Sequence, residues 1–336
     1  MHCDVSTPAS LPDAVRISRP VRIALQVLVS AGVLAFLIWQ IDLRKTIDLI
    51  ASSNGWYLLA AYLIFLATTV GMAWRWQALL ASKGIHEPLG WLTKIYFVGY
   101  AAGQVLPTSI GGDTVRIAAH ARRRPDAKGE AAGAVLMERV LGSAGTLVLV
   151  AIGLVLAIGR YNNIWEVVIL EIALSAGLAV VLALMFSRRT NTWLQERGGT
   201  RTLARGFRSL WDALHGYRSQ PRTLLLVLGA TVGLQFVRIL SIWLCGEAVG
   251  IDVSPLVYII MGPLLFLVML VPFTINGLGV REAFFIAFLG RFGVDADAAF
   301  ATGFLFYAVT VASSLPGGAI MLWDSVRPAL MRPREG

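Results

Sequence analysis

Charge is scarce in this chain. Only 15% of its 336 residues are Asp, Glu, Lys or Arg, whereas 57% are hydrophobic. Soluble domains carry about 25% charged residues, so a water-facing surface around a single core is excluded for most of the length. Cysteine is nearly absent: Cys3 and Cys245 stand far apart and supply neither a disulfide framework nor a zinc spacing. The 4 histidines are scattered. No His-Glu-x-x-His, nucleophile elbow or Gly-Lys-Ser phosphate loop occurs. The expectation is therefore a protein that is not an enzyme, with no cofactor, no metal and no nucleotide-driven step.

What is present is a series of long apolar runs. About 20 mostly apolar residues cross a hydrocarbon layer roughly 30 Å thick. Residues 21–41, 55–80, 131–159, 164–187, 223–249 and 298–323 meet that test. The first run is too long for a signal-peptide core and lacks a small-residue cleavage site, so it reads as a retained span. Two further apolar segments, 91–106 and 256–271, are shorter, and each runs into a stretch containing Pro and Gly. The formal net charge of +9 comes from arginines in short segments beside the apolar runs. That placement suits the cytoplasmic face of an anionic membrane, and nucleic acid is not expected as a partner.

The positive-inside rule threads the chain. Arg122, Arg123 and Arg124 fall inside only if segment 91–121 enters and returns to one side, and the same logic makes 256–290 a hairpin entered from outside. The expected fold class is an all-α polytopic membrane protein, six spans plus two re-entrant hairpins (eight hydrophobic segments), arranged as an inverted repeat. Residues 1–20 form a cytoplasmic tail, 21–160 the first repeat, 161–325 the second and 326–336 a second cytoplasmic tail. The basic loop 188–222 belongs to the second repeat, and its Leu203, Phe207, Leu210, Trp211 and Leu214 recur at helical spacing, as in a helix lying on an anionic surface. Arg75, between Trp74 and Trp76, reads as an interface anchor. Arg238 lies deeper in its span, where a buried partner is expected, Glu247 being one possibility.

The two interruptions share a pattern. Pro107, Ile110, Gly112, Val115 and Arg116 align without a gap on Pro272, Ile275, Gly277, Val280 and Arg281. Proline ends the incoming helix, glycine permits the turn, and a new helix begins. Thr108, Ser109 or Asp113 would cap the first new helix, and Thr274 or Asn276 the second. Each arginine then lies about one turn inside a helix whose N-terminus favours anions, within reach of a phosphate. Interrupted helices in corresponding halves are a feature of alternating-access transporters. The candidate substrate-binding residues are Gly112, Asp113, Arg116, Glu138 and Arg139 in the first half, with Asn276, Gly277, Arg281 and Glu282 in the second.

The stretch from Pro107 to Arg116, the Glu138-Arg139 pair and Gly277-Leu-Gly-Val-Arg-Glu282 resemble the transmembrane domain of lysylphosphatidylglycerol synthases. The resemblance covers about residues 20–325, although Asp113 stands where that pattern leads one to expect Glu. It implies a bacterial inner-membrane protein that moves a phospholipid or related amphiphile between leaflets, some relatives being tied to hopanoid lipids. No soluble aminoacyl-transferase domain is expected after the last span, so synthase activity is not expected to be carried over. The implied partners are membrane lipids with an anionic or phosphate-bearing headgroup. Two rival readings stand: a membrane-embedded transferase using Asp113, Glu138 or Glu282 as base, and a non-catalytic partner of lipid-synthesis enzymes.

Overall fold

The computed structural model describes residues 28, 31–32, 34–105, 111–157, 165–186, 216–217, 219–270, 277 and 279–330. Every regular element among them is helical. Residues 34–40 continue the first apolar run as helix, followed by α1 (Leu43–Ala51), α2 (Gly55–Ala81), α3 (Leu89–Val105) and α4 (Gly111–Arg123). A 3-10 turn at Pro125–Ala127 leads into α5 (Lys128–Ala157), then α6 (Trp165–Phe186) and α7 (Pro221–Val249). The chain ends with α8 (Pro255–Leu270), α9 (Val280–Leu289), α10 (Ala296–Ala312) and α11 (Leu315–Leu330). The proposed surface helix around Phe207 and Trp211 lies outside the described residues, as does most of the first span.

Four helical stretches are long and apolar enough to cross a membrane: Gly55–Ala81, Pro125–Leu156, Pro221–Val249 and Ala296–Asp324. They coincide with four of the runs marked by hydropathy. The last is not one continuous helix, because the chain breaks at Ser313 and Ser314 between α10 and α11. Helix boundaries follow local chemistry. The Trp56 N–H donates to the Asn54 side chain at the start of α2. Pro221 opens α7, where its missing N–H costs nothing. Gly250 closes α7 in the left-handed conformation at φ 85°.

The central interface joins α2 to α7 along their whole length. Asn54 N–H donates to the Ala248 carbonyl at 2.8 Å, Arg238 Nε reaches Thr68 Oγ1 at 3.1 Å, and the Gln220 amide donates to the Ser82 carbonyl. Low numbers in one helix meet high numbers in the other, so the two run antiparallel. Around this pair, α3, α5 and α10 pack on α2, and α5, α8 and α10 pack on α7.

Helices α3 and α4 also run antiparallel. Gly99 of α3 abuts Gly112 and Arg116 of α4, while Glu87, just before α3, meets Arg123 (3.2 Å) at the end of α4 and Arg124 (3.5 Å) just after it. The chain therefore leaves this helix pair at the level where it entered. At about 1.5 Å per residue, the 17 and 13 residues of α3 and α4 span about 25 and 20 Å, short of a hydrocarbon layer about 30 Å thick.

The two ends of the bundle differ. One gathers Lys83, Glu87, Arg123, Arg124, Tyr217 and Gln220, and Tyr217 donates its hydroxyl to the Leu79 carbonyl while Lys83 lies 4.3 Å above its ring. The other holds α1 and the α9–α10 turn, joined by Lys45 to Asp295 (3.3 Å) and Asp297 (3.1 Å). Hydrogen bonds to Asp297 and Asp295 hold the Lys45 ammonium above its ordinary pKa.

Candidate functional site

Close approach of α3 and α4 makes the first half of the site. A side chain at Gly112 would collide with the Gly99 carbonyl, so the hairpin needs glycine there. The contact carries Arg116 into the interior at 5% exposure. Its guanidinium pairs with Asp113 (3.2 Å) and, through Nη2, with Glu138 on α5. The group also lies against the Tyr96 ring (3.8 Å) and the Trp76 ring (4.4 Å), which meet edge to face. Tyr96 donates a long hydrogen bond of 3.5 Å to the other Glu138 oxygen. Arg139 pairs with the second oxygen of Asp113. Asp113 thus holds two arginines and is not the helix cap its position suggested.

Arg75 joins the same cluster and corrects the sequence reading. It is buried, and it donates to the Glu138 carbonyl at 3.2 Å and to Met72 Sδ at 3.3 Å. Trp76 beside it is fully buried and Trp74 exposed, so the triplet is not an interfacial anchor. Hydropathy alone misplaces this arginine, because nothing in the local sequence shows that α5 offers it a carbonyl. His120 sits at the hairpin mouth, buried between Trp76 and Trp91 and 3.9 Å from Glu87.

The second motif is built differently. Gly277 and Gly279 both adopt positive φ, 74° and 83°, a region that a Cβ disfavours. Glu282 then turns back, one carboxylate oxygen accepting from the Gly279 N–H at 2.7 Å and the other from Arg281 Nε and Nη2 at 3.0 and 2.8 Å. Arg281 is buried and stacks on Tyr307 at 4.4 Å. Gly279 is therefore the residue capped at the start of α9. Asn276, Thr274, Thr108 and Ser109 lie outside the described residues, as do the two prolines at the breaks.

Between the first hairpin and helices α2, α7 and α10 is a cavity of about 380 Å³. Its wall includes Tyr100, Gly103, Gln104, Gly112, Asp113, Arg116, Arg238 and Thr310, with Met72 from α2. Of the residues singled out from sequence, Gly112, Asp113 and Arg116 line it, and Glu138 and Arg139 back it through their ion pairs. Arg281 and Glu282 are not on its wall.

Glu247 was one possible partner for Arg238. Instead Glu247 accepts a hydrogen bond from Trp243 Nε1 at 2.9 Å, and Arg238 bonds Thr68 and lies 5.0 Å from the Phe65 ring. Among the described residues no carboxylate pairs with it. Helical geometry separates the two: nine positions apart is two and a half turns, which puts them on opposite sides of α7. The same arithmetic, applied beforehand, would have excluded the pairing. Among the described residues no cluster of His, Cys, Asp or Glu is arranged to hold a metal ion.

Residues 23–318 match the family model described as the lysylphosphatidylglycerol synthase TM region. The chain belongs to that family, whose members are membrane proteins related to lipid modification or transport. No curated protein matches it.

Proposed function

We propose that this family member is a flippase-like transporter that moves a phospholipid or related amphiphile between the leaflets of a bacterial inner membrane. The observation that carries the reading is the cavity beside α2 and α7, walled by one short hairpin and an arginine that no carboxylate among the described residues neutralises. An intramembrane arginine costs about 2.5–3.5 kcal/mol on insertion scales, so its place on a cavity wall calls for a polar occupant. A cavity of this size suits a headgroup, with the acyl chains left in lipid.

The packing supports two inverted halves. Pairing α2 with α7, α3–α4 with α8–α9 and α5 with α10–α11 maps each helix contact of one half onto a contact of the other. The antiparallel α2–α7 interface would be the axis of that relation. The short α3–α4 pair supports a re-entrant hairpin with its basic mouth on the cytoplasmic side. Both termini would then be cytoplasmic, and transport would follow rocking of the halves around the cavity. Passage of a headgroup between Arg116 and Arg281 would require both to release the carboxylates they now hold.

Purified protein in vesicles tests the reading. A leaflet-selective quenching assay should show faster transbilayer movement of a fluorescent phospholipid than empty vesicles show, with the lipid chemically unchanged. A new lipid species would instead favour the transferase reading, with Asp113, Glu138 or Glu282 as base. No movement and no new species would favour a non-catalytic partner of lipid-synthesis enzymes.

A further inference from the structure

His120 is fully buried at the mouth of the first hairpin, yet among the described residues neither of its ring nitrogens has a hydrogen-bond partner. Burying a polar atom without a partner is costly, so the orphaned ring asks for an explanation. Nε2 lies 3.9 Å from Glu87 Oε1, an oxygen that itself lacks a hydrogen bond. The gap is too long for a hydrogen bond between a neutral imidazole and a carboxylate. Glu87 is held off the ring by two exposed arginines, Oε2 pairing with Arg123 at 3.2 Å and Oε1 with Arg124 at 3.5 Å. Through them the carboxylate links the buried ring to solvent.

We infer that His120 and Glu87 form a proton-binding site, in which protonation of Nε2 draws the carboxylate inward from Arg124 and slackens the hairpin mouth. The proton comes from solvent, and the N–H bond is the only covalent bond formed. A charge-assisted hydrogen bond from Nε2 to Oε1 then replaces the looser contact of Oε1 with Arg124, while Oε2 keeps Arg123. The uncharged rings of Trp76 and Trp91 flank the imidazole from α2 and α3. The charged groups near it are Glu87 ahead of α3, Arg123 and Arg124 at the end of α4, and Asp126 in the following turn. Burial opposes the imidazolium most strongly and the two arginines add to that, whereas Glu87 and Asp126 favour it. The ring is therefore neutral near pH 7 and takes its proton in mild acid. Trp76 lies 6.1 Å from the imidazole and also carries Arg116 at 4.4 Å, and His120 stands one turn beyond Arg116 on α4. A charge on His120 thus adds a second cation beside the ring that bears the cavity arginine, which ties the mouth to the cavity. The site stands whether or not lipid moves.

Tryptophan emission of the purified protein in detergent, titrated from pH 8 to pH 5, tests it. An imidazolium quenches an indole beside it, and two of the 10 tryptophans flank His120. Emission should fall reversibly with pH in wild type, the fall should shrink in H120Q, and H86Q should keep it because His86 is exposed. E87Q should lower the midpoint, since the anion that favours the imidazolium is gone. R124Q should raise it, since the cation that opposes the charge and competes for Oε1 is gone. The same profile in H120Q as in wild type overturns the site, and midpoints that stay put or move the other way overturn the role of Glu87. Should H120Q or E87Q fail to fold, judged by thermal unfolding at pH 7.5, the direction of the R124Q midpoint decides. Amide exchange over residues 120–127, corrected for its intrinsic pH dependence, should be faster at pH 5.5 than at pH 7.5 in wild type and equal at the two in H120Q. Equal exchange in wild type overturns the slackening.

Discussion

Arg116 and Glu138, twenty-two residues apart in sequence, form a buried ion pair that fastens the first hairpin to α5. Desolvating both charges is costly, and the pair survives because other groups complete it. Asp113 takes a second guanidinium nitrogen, the Tyr96 and Trp76 rings lie against the guanidinium, and Tyr96 donates to the free carboxylate oxygen. Breaking one side of such a pair typically costs about 3–5 kcal/mol, because the other charge stays buried. E138Q is expected to lower unfolding stability in detergent by that order. The double variant R116M/E138L should lose less than E138Q alone. Equal losses in both would mean that the pair is not the fastening point.

The end-to-end charge difference gives a topology prediction. Arg123 lies at the hairpin mouth with Glu87, and Asp295 lies at the opposite end beside Lys45. Both side chains reach solvent, at 48% and 76% exposure. In a background with Cys3 and Cys245 replaced by Ser, R123C should react with an impermeant thiol reagent only from the cytoplasm, and D295C only from outside. Labelling of both from one side would remove the re-entrant reading of the first hairpin, and the inverted repeat with it.

Much of this architecture is legible in the sequence because membrane spans are specified by run length and charge placement, both one-dimensional properties. The antiparallel α3–α4 pair is legible from the same charge placement, which led one to expect segment 91–121 to turn back toward its start. Pairwise chemistry is less accessible. That Glu138 meets Arg116 depends on how α4 and α5 pack, and that Arg75 is buried depends on a carbonyl from α5. The importance of Arg238 is the lack of a carboxylate partner among the described residues, and that shows only once the surrounding helices are in place. The break at Ser313 is a further miss, since Leu315-Pro-Gly-Gly reads as an unbroken apolar run although it restarts a helix.

That restart brings two adjacent glycines into different surroundings. A Cβ on Gly317 would collide with the Phe97 carbonyl of α3, whereas one on Gly318 meets open space. Backbone cannot move aside as a flexible side chain can. G317A should therefore push α11 off α3 at a cost of about 1–3 kcal/mol, the usual range for overpacking. G318A should stay within about 0.5 kcal/mol of wild type, as substitutions without new contacts do. Comparing the two midpoints in one thermal unfolding series checks the α3–α11 contact, with each variant controlling for the helix propensity of the other. Equal midpoints would place α11 elsewhere.

Glu282 carries two duties that substitution can separate. One oxygen accepts from the Gly279 N–H and so caps α9, and the other holds Arg281. E282Q keeps an oxygen for the cap but removes the charge that Arg281 needs in a buried setting. E282A removes both. Loss of an N-terminal cap costs about 1 kcal/mol, whereas an uncompensated buried charge costs about 3–5 kcal/mol. E282Q should therefore show most of the E282A loss, and R281M/E282Q should recover part of it because the stranded guanidinium is gone. A wild-type midpoint for E282Q would mean that Arg281 finds its compensation elsewhere. It would then be free to meet a headgroup, as its position in the repeated motif first suggested.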